Sequence, residues 1–583
     1  MEYNRNFFIA ITLSLLVIIA WQFFVGVSQH TIKKTAYEST RKEHISSENQ
    51  TNSETALEIS ETRHNRLRQQ GHRIIIDTPQ LKGSINLEGA QIDDLLLKKY
   101  HVTVKKTSPE IALLNPGYLA EFGFNSDTVT TELPNSHTHW IIGQNRRLTP
   151  LSPVYLFFDN RNGLLFHRKI SVDDRYLFTI EDSVVNNTNQ QISLSSYGRV
   201  SRRSSPHTSN GSYLLHEGLI GVIGDEGLKT KTYKELYEAN NENKIINFQK
   251  AKGGWIGITD KYWAVTLIPT QNIPFEACFS FNERNGYQSA YKNETFSLSP
   301  HKTAKFINHV FAGAKQVDVI NNYEQKLAIK KFELLIDWGL LNFITKPMFI
   351  LIDWLYKGVG NFGVAILLVT VILKVSLFPL ANKSYKSMAR MKNIQPKIIE
   401  IREKYAENKT KQQQLIIELY RNEKINPLAG CWPLVIQFPI FFALYKVLYI
   451  TIEMRHAPFF GWLQDLAAPD PTSIFNLFGL LPYNVPQFLM IGFWPIIMGI
   501  TMFLQMRMNP TPPDQTQAIL FNWMPLIFTW MLAAFPAGLV IYWAWNNTLS
   551  IIQQAIIMKH QGVKIELFDN LKSSFIRNHQ EPK

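Results

Sequence analysis

Cysteine is nearly absent from this chain. Its 583 residues include two, Cys278 and Cys431. No CxxC pair and no Cys/His cluster accompanies them, so no thiol redox centre and no metal site is expected. Cys278 falls in a polar, strand-like stretch and Cys431 at the start of an apolar block, so no disulfide between them is expected. Also missing are a Walker loop, an HExxH pair and a GxSxG elbow. The sequence therefore assigns no catalytic residue and no cofactor, and an enzyme is not expected. Acidic residues are scarce in the apolar blocks, which weakens a proton-coupled transporter, since such proteins commonly use intramembrane Asp or Glu. There is no detectable inverted repeat either.

What is present is uneven. Phe7–Val25 is an apolar run of 19 residues after a single arginine, Arg5. Its length and the lack of a small-x-small site favour an uncleaved anchor over a signal peptide. A polar linker, 30–70, follows. From about residue 71 to 330 the chain breaks into short β-prone segments separated by Gly, Asn, Asp and Pro, among them Arg73–Ile76, Val154–Phe158, Leu177–Ile180, Ile192–Tyr197 and Trp263–Ile268. That spacing predicts an antiparallel β-sandwich. Phe332, Leu335, Ile336, Gly339, Leu340 and Phe343 then recur at helical spacing. They predict an amphipathic helix in 331–357, either lying on the membrane surface or packed on the soluble domain.

Five further apolar blocks are read as spans at 358–379, 431–454, 487–506, 519–535 and 537–558. The expected fold class is thus an α-helical polytopic membrane protein of six transmembrane helices, joined to a large all-β sandwich domain. Segment 380–430 is expected to form a basic helical hairpin. Within it Met391, Ile394, Ile398, Ile401 and Tyr405 make a heptad seam, and Leu415, Ile416 and Leu419 face it from a second helix. Pro396 sits inside the first seam, where a delayed helix start is the expectation.

Charge sets the expected topology. Residues 381–429 carry eleven Lys/Arg against five Glu, and the loop within 455–486 carries one Arg and two Asp. The basic segment, the 507–518 loop and the 559–583 tail are therefore placed in the cytoplasm. Both termini then lie inside and the sandwich outside. The net charge of +13 is assigned to this bias rather than to recognition of a nucleic acid.

One charge breaks the pattern. Lys374 lies inside the apolar run Gly363–Phe378, where a charge costs roughly 2.5–3.5 kcal/mol on insertion scales. Thr370 sits one turn earlier on the same face. Gln437 lies between Pro433 and Pro439. Tyr542, Asn546, Ser550 and Gln553 form a polar stripe on the last span, and Asn522 and Thr529 share a face of the fifth. Two readings stay open on residue chemistry alone. The polar groups of four spans converge on one groove, or they are glue between helices with Lys374 snorkelling to the cytoplasmic surface. Lys446, in the outer half of the third span, is read as snorkelling to the far interface.

Particular stretches carry a resemblance. Val359–Gly360–Asn361–Phe362–Gly363 opens the second span and Phe378–Pro379–Leu380 ends it. Asn426–Pro433, Gln437–Phe441, Phe535–Leu539 and Ile551–Gln554 follow, with weaker matches at Ile85–Ala90 and Gly253–Ile256. The chain resembles the YidC/Oxa family of membrane protein insertases in its Gram-negative form with a large periplasmic domain. The resemblance implies an inner-membrane insertase and chaperone with five core spans. Its groove would be hydrophilic and positively charged, open to cytoplasm and lipid but closed outside. The implied groove residues are Lys374, Thr370, Gln437 and Tyr542, to which the polar set read from spacing adds Asn522, Thr529 and Asn546; Phe438, Pro439 and Met531 are the implied apolar substrate contact. Lys374 stands where the family usually has arginine, which replaces a planar donor fork with a point charge. Implied partners are nascent inner-membrane proteins, the Sec translocon, the ribosome, the signal-recognition targeting machinery and anionic lipids.

Two rivals come from other classes. One is a solute transporter or channel with a lysine-lined pore. The other is an outer-domain enzyme or sugar binder, for which His207, His216, Glu217 and Asp225 are the candidates.

Overall fold

The computed structural model describes residues 72–205, 215–238, 245–423, 432–483, 485–486, 489–509 and 515–560. The expected first span, the linker, the tail and Cys431 lie outside the described residues. Residues Thr62–Pro510 and Pro525–Lys583 fall in one compact unit, and Thr511–Met524 falls in another. The sandwich belongs to the first unit, as do the helices that wall the cavity beneath it.

Two sheets form the sandwich. One runs, in spatial order, Ile245–Lys252, Pro274–Asn282, Gly286–Asn293, Ile192–Arg202, Tyr118–Asn125, Gln91–His101, Leu81–Asn86, Arg73–Asp77 and Arg147–Leu148. The other runs Gly227–Thr232, Gly218–Ile223, Gly254–Thr259, Trp263–Ile268, Thr303–Ala314, Leu177–Asn186, Leu164–Val172, Val154–Asp159 and Ile141–Gln144. The strand pairs are antiparallel except Arg73–Asp77 with Arg147–Leu148. Leu164–Val172 shows the cause. Leu164, Phe166, Arg168, Ile170 and Val172 are buried while the residues between them are not, which is the two-residue period of a half-covered strand. Phe124 closes the core between the sheets, 5.3 Å from Phe166 and 5.5 Å from Phe306, ring centre to ring centre.

Arg168 is the exception on that inward face. It is buried, and its guanidinium meets Asp182 on the paired strand at 2.7 Å, donates to the Phe122 carbonyl at 3.2 Å and lies 4.6 Å from the Trp140 ring. A buried charge needs such partners, and here they engage Nε and Nη2 while Nη1 is left without a hydrogen bond.

The expected amphipathic helix is corrected. Phe332–Leu335 is a single 3₁₀ turn, and the α-helix begins only at Asn342, running to Val359. Lys331 and Gly339 have φ of 52° and 75°, left-handed values that interrupt any helix. The apolar recurrence has another cause. Phe332 packs edge-on against Trp255, 5.5 Å between ring centres, and the Trp255 indole donates to the Lys331 carbonyl at 3.3 Å. These residues cap the sandwich.

The Val359–Gly363 stretch is a helix junction. Gly360 ends one helix at φ 72°, and the Asn361 side chain caps the next, Phe362–Ser376, by accepting from the Val364 N–H at 3.1 Å. Gly363 has no room for a side chain, since a Cβ there would fall 2.1 Å from the Phe459 ring. The expected 358–379 span is not one straight helix. Phe362–Ser376 and Phe378–Lys404 meet at 68°, with Pro379 in the first turn of the second helix. The second helix continues unbroken through Pro396, contrary to the expected delay. With Lys409–Asn422 it forms a hairpin whose seam buries Ile394 and Ile398 against Met391, Ile416 and Leu419.

The remaining helices are Trp432–Ile450, Phe493–Met508, Gln515–Leu532 and Ala537–His560. Among the described residues no single helix is long and apolar enough to cross a membrane, and the bent pair at Leu377 satisfies length and composition together. Their outer faces are nonetheless apolar and exposed, at Val371, Ile372, Val375, Val435, Phe438, Phe442, Leu526 and Ile527. The Phe535–Gly538 turn is fixed from the 455–486 loop, where Ala468 and Leu466 accept the Ala537 and Gly538 N–H groups at 2.8 and 3.0 Å.

Candidate functional site

The polar groups converge where the helices meet. A cavity of about 510 Å³, including its open mouth, is walled by the bent pair, the Trp432–Ile450 helix and the Ala537–His560 helix. Lys374, Thr370, Gln437, Tyr542 and Asn546 line it, together with apolar Leu373, Leu377 and Ile440.

The last turn of Phe362–Ser376 carries Lys374. Its ammonium donates to Ser550 Oγ at 2.7 Å, and Ser550 in turn donates to the Asn546 carbonyl at 2.8 Å. Among the described residues Lys374 has no carboxylate partner, so its charge faces the cavity uncompensated. A charge lining a cavity without a counter-charge is a costly arrangement and marks a candidate site. Gln437 donates from Nε2 to the Tyr542 hydroxyl, bridging the third and last expected spans across the cavity.

Other predicted residues sit elsewhere. Thr370 reaches the wall, but its hydroxyl donates to the Ile366 carbonyl of its own helix at 2.7 Å, so its donor is spent. Thr529 does not line the cavity. Its hydroxyl donates to the Pro525 carbonyl at 2.7 Å and sits against Gly499, where a Cβ would lie only 2.0 Å away. A threonine pressed on a glycine of the facing helix is packing, and its expected groove role is corrected on that ground. Asn522 is on the Gln515–Leu532 helix and belongs to the other compact unit. Phe438 and Met531 are exposed and Pro439 half-buried. Phe438 stacks on Phe442 with ring centres 6.5 Å apart. Lys446 does not snorkel freely, because its ammonium pairs with Asp337 at 3.1 Å beneath the sandwich cap.

Ser550, read from the sequence as part of the polar stripe one turn beyond Asn546, proves to be the partner of the groove charge. One lining residue escapes the sequence reading. Tyr385 lines the cavity and is buried. It lies past Pro379, in the segment read as solvated hairpin, and only the 68° bend carries it back to the wall.

The outer-domain enzyme candidates are not assembled into a site. His216 Nε2 is 2.9 Å from the Leu219 carbonyl, Glu217 accepts the Lys261 N–H at 2.9 Å, and exposed Asp225 pairs with Lys330 at 2.5 Å. His207 lies outside the described residues. Among the described residues no group of three His, Cys, Asp or Glu could hold a metal.

Similarity to known proteins decides between the classes. A model of the YidC periplasmic domain matches residues 73–351, and a model of the 60Kd inner membrane protein matches residues 354–564. The membrane protein insertase YidC of Brucella suis biovar 1 (strain 1330) is 57% identical over 611 residues, covering 100% of both chains. The YidC insertase of Rhizobium meliloti (strain 1021) is 52% identical over 591 residues, covering 99% of both. The chain belongs to the YidC family of membrane protein insertases. A crystal structure of an active YidC insertase with its first transmembrane domain resolved matches at 19% identity, over 84% of this chain and 92% of that one. Its TM-score is 0.35, and the family assignment does not depend on it. YidC proteins are inner-membrane insertases, which fits the exposed apolar helices below the sandwich.

Proposed function

We propose that this YidC chain inserts membrane proteins through the Lys374 cavity by a physical, non-catalytic route. The single observation behind this reading is an uncompensated ammonium lining an open cavity among apolar helices. A substrate's short polar tail must cross hydrocarbon, where each unsatisfied backbone group costs several kcal/mol. A wet, polar cavity shortens that crossing, and its positive charge attracts acidic tail residues. Gln437, Tyr542 and Asn546 offer hydrogen bonds to the tail. The exposed surface around Phe438, Pro439 and Met531 receives the apolar segment, whose partition into lipid drives the step. No nucleotide enters this scheme.

In the same reading Phe362–Ser376, Trp432–Ile450, Phe493–Met508, Gln515–Leu532 and Ala537–His560 cross the inner membrane, with both termini and the basic hairpin in the cytoplasm and the sandwich outside. The basic hairpin recruits the ribosome, the targeting machinery or anionic lipid. The sandwich engages the Sec translocon where insertion is shared.

Photocrosslinking tests the route. Benzoylphenylalanine placed at Gln437, Phe438 or Met531 is expected to trap an arrested nascent membrane protein, and at exposed Leu151 of the sandwich to trap none. Equal trapping at all four positions would remove the assignment.

A further inference from the structure

A second cavity has no part in the groove. It measures about 1320 Å³, including its open mouth, and lies between the sandwich and the outer end of the Trp432–Ile450 helix. Three cations line it, Arg202, Lys261 and Arg455, against two carboxylates, Glu217 and Asp260. The lining therefore carries one extra positive charge, and Asp465, outside the lining, acts on Lys261 and Arg455 from a distance.

The partners show which cations carry the excess. Arg202 is closed, since its Nη1 donates to both Asp260 oxygens at 2.7 and 2.8 Å. Glu217 is engaged by the Lys261 backbone N–H. The Lys261 ammonium instead lies 3.6 Å from the Tyr449 ring centre and 4.9 Å from that of Tyr262. Arg455 flanks the same Tyr262 ring at 5.9 Å and Trp263 at 5.4 Å, with one N–H donating to the His101 carbonyl at 2.6 Å. Among the described residues neither cation forms an ion pair; Lys261 feels Glu217 and Asp465, and Arg455 feels Asp465, only at longer range. Burial lowers the Lys261 ammonium to about 8, which leaves it charged at neutral pH.

Two half-desolvated cations on an aromatic-walled cavity suit an oxyanion with an organic body. Position selects the anion. Tyr449 is the penultimate residue of an apolar helix whose Val435, Phe438 and Phe442 are exposed, and Arg455 follows five residues beyond its end. Tyr, Trp and basic residues gather at the depth of lipid headgroups. We propose that this cavity binds the phosphodiester of an anionic glycerophospholipid of the outer leaflet, with Lys261 and Arg455 as its counter-charges. This rests on reading the Trp432–Ile450 helix as a membrane span. Because Lys261 belongs to the sandwich and Tyr449 and Arg455 to the membrane part, a bound headgroup ties the two together.

Native mass spectrometry of the full-length protein in detergent, titrated with phosphatidylglycerol, tests the site. Each cation near a headgroup contributes about five-fold in affinity. Lys261→Gln with Arg455→Gln is therefore expected to weaken retention about 25-fold, while Lys250→Gln on the sandwich surface leaves it unchanged. Equal retention by wild type and the double variant would overturn the proposal. So would competition by inorganic phosphate or glycerol 3-phosphate at concentrations equal to the lipid, which would make the ligand a free anion. A second readout does not depend on how the double variant folds. Benzoylphenylalanine at Ala112 on the cavity wall and at Phe442 on the apolar helix is irradiated in phosphatidylglycerol vesicles. Lipid adducts at both positions support the site. An adduct at Phe442 alone overturns it and leaves the span standing, and adducts at neither overturn both.

Discussion

Changing Lys374 is expected to sort substrates by the charge of their translocated tails. The ammonium holds one protein contact, Ser550 Oγ at 2.7 Å, and no carboxylate among the described residues, so its remaining donors face the cavity. A tail carboxylate about 4 Å away is attracted by about 1 kcal/mol in bulk water and about 4 kcal/mol at an effective dielectric near 20. The cavity is open, so the lower part of that range applies, about 1–2 kcal/mol. Lys374→Ala should then slow insertion of an acidic-tailed substrate roughly 5- to 30-fold and change a neutral-tailed one by less than about two-fold. Lys374→Glu replaces attraction by repulsion and should cost acidic tails more than alanine does. Lys374→Arg should keep near-normal insertion. The assay is protease protection of single-span substrates that differ only in tail charge, added to proteoliposomes. Equal losses for acidic and neutral tails would refute electrostatic attraction and leave Lys374 a structural donor to Ser550.

Three further outcomes are expected. Gly499→Ala places a methyl 2.0 Å from Thr529 Oγ1, and the strain of about 1–3 kcal/mol should outweigh the roughly 1 kcal/mol that alanine adds to a helix. A lowered melting temperature restored by Thr529→Ala would bear this out, and no change would contradict the packing role. Lys315 is buried and donates to Thr259 Oγ1 at 3.0 Å, and burial lowers its ammonium from 10.5 to about 8. Between those values the unfolded chain holds a proton that the folded chain lacks, so stability rises with pH across that window and the penalty is complete below it. Lys315→Met should therefore stabilise the protein at pH 7 by about 2–3 kcal/mol and flatten its denaturant midpoint between pH 8 and 10.5 relative to wild type. Deleting 391–423 should abolish insertion while the melting profile of the sandwich persists, and normal insertion by that deletion would defeat the recruitment role.

The sandwich is legible in the sequence because β-prone segments are punctuated by Gly, Asn, Asp and Pro, whether the strand is half-covered, as Leu164–Val172, or nearly all buried, as Trp263–Ile268. All five strand segments read from the sequence lie within observed strands. Helix periodicity is less safe. Phe332, Leu335 and Ile336 recur at helical spacing, yet the chain leaves the helix through left-handed Lys331 and Gly339 and spends those apolar groups on the sandwich cap. Nothing local distinguishes a helix face from residues docking on a distant Trp255. In the site, spacing along one helix places Lys374 with Thr370 and Tyr542 with Asn546. It does not tell which face a second helix presents, so Thr529, expected in the groove, packs instead on Gly499. Lys446 reads as an interface residue because Asp337, its partner, lies more than a hundred residues away in sequence. Tyr385 needs the bend at Leu377, and Pro379 marks a helix start without giving its angle.

The central claim is that this chain alone moves a polar tail across the bilayer. The direct measurement is insertion of a small single-span, acidic-tailed substrate by the purified full-length protein in liposomes, without Sec components or nucleotide, scored by protease protection. Protection well above protein-free liposomes is the predicted result. Protection no greater than in protein-free liposomes would contradict it.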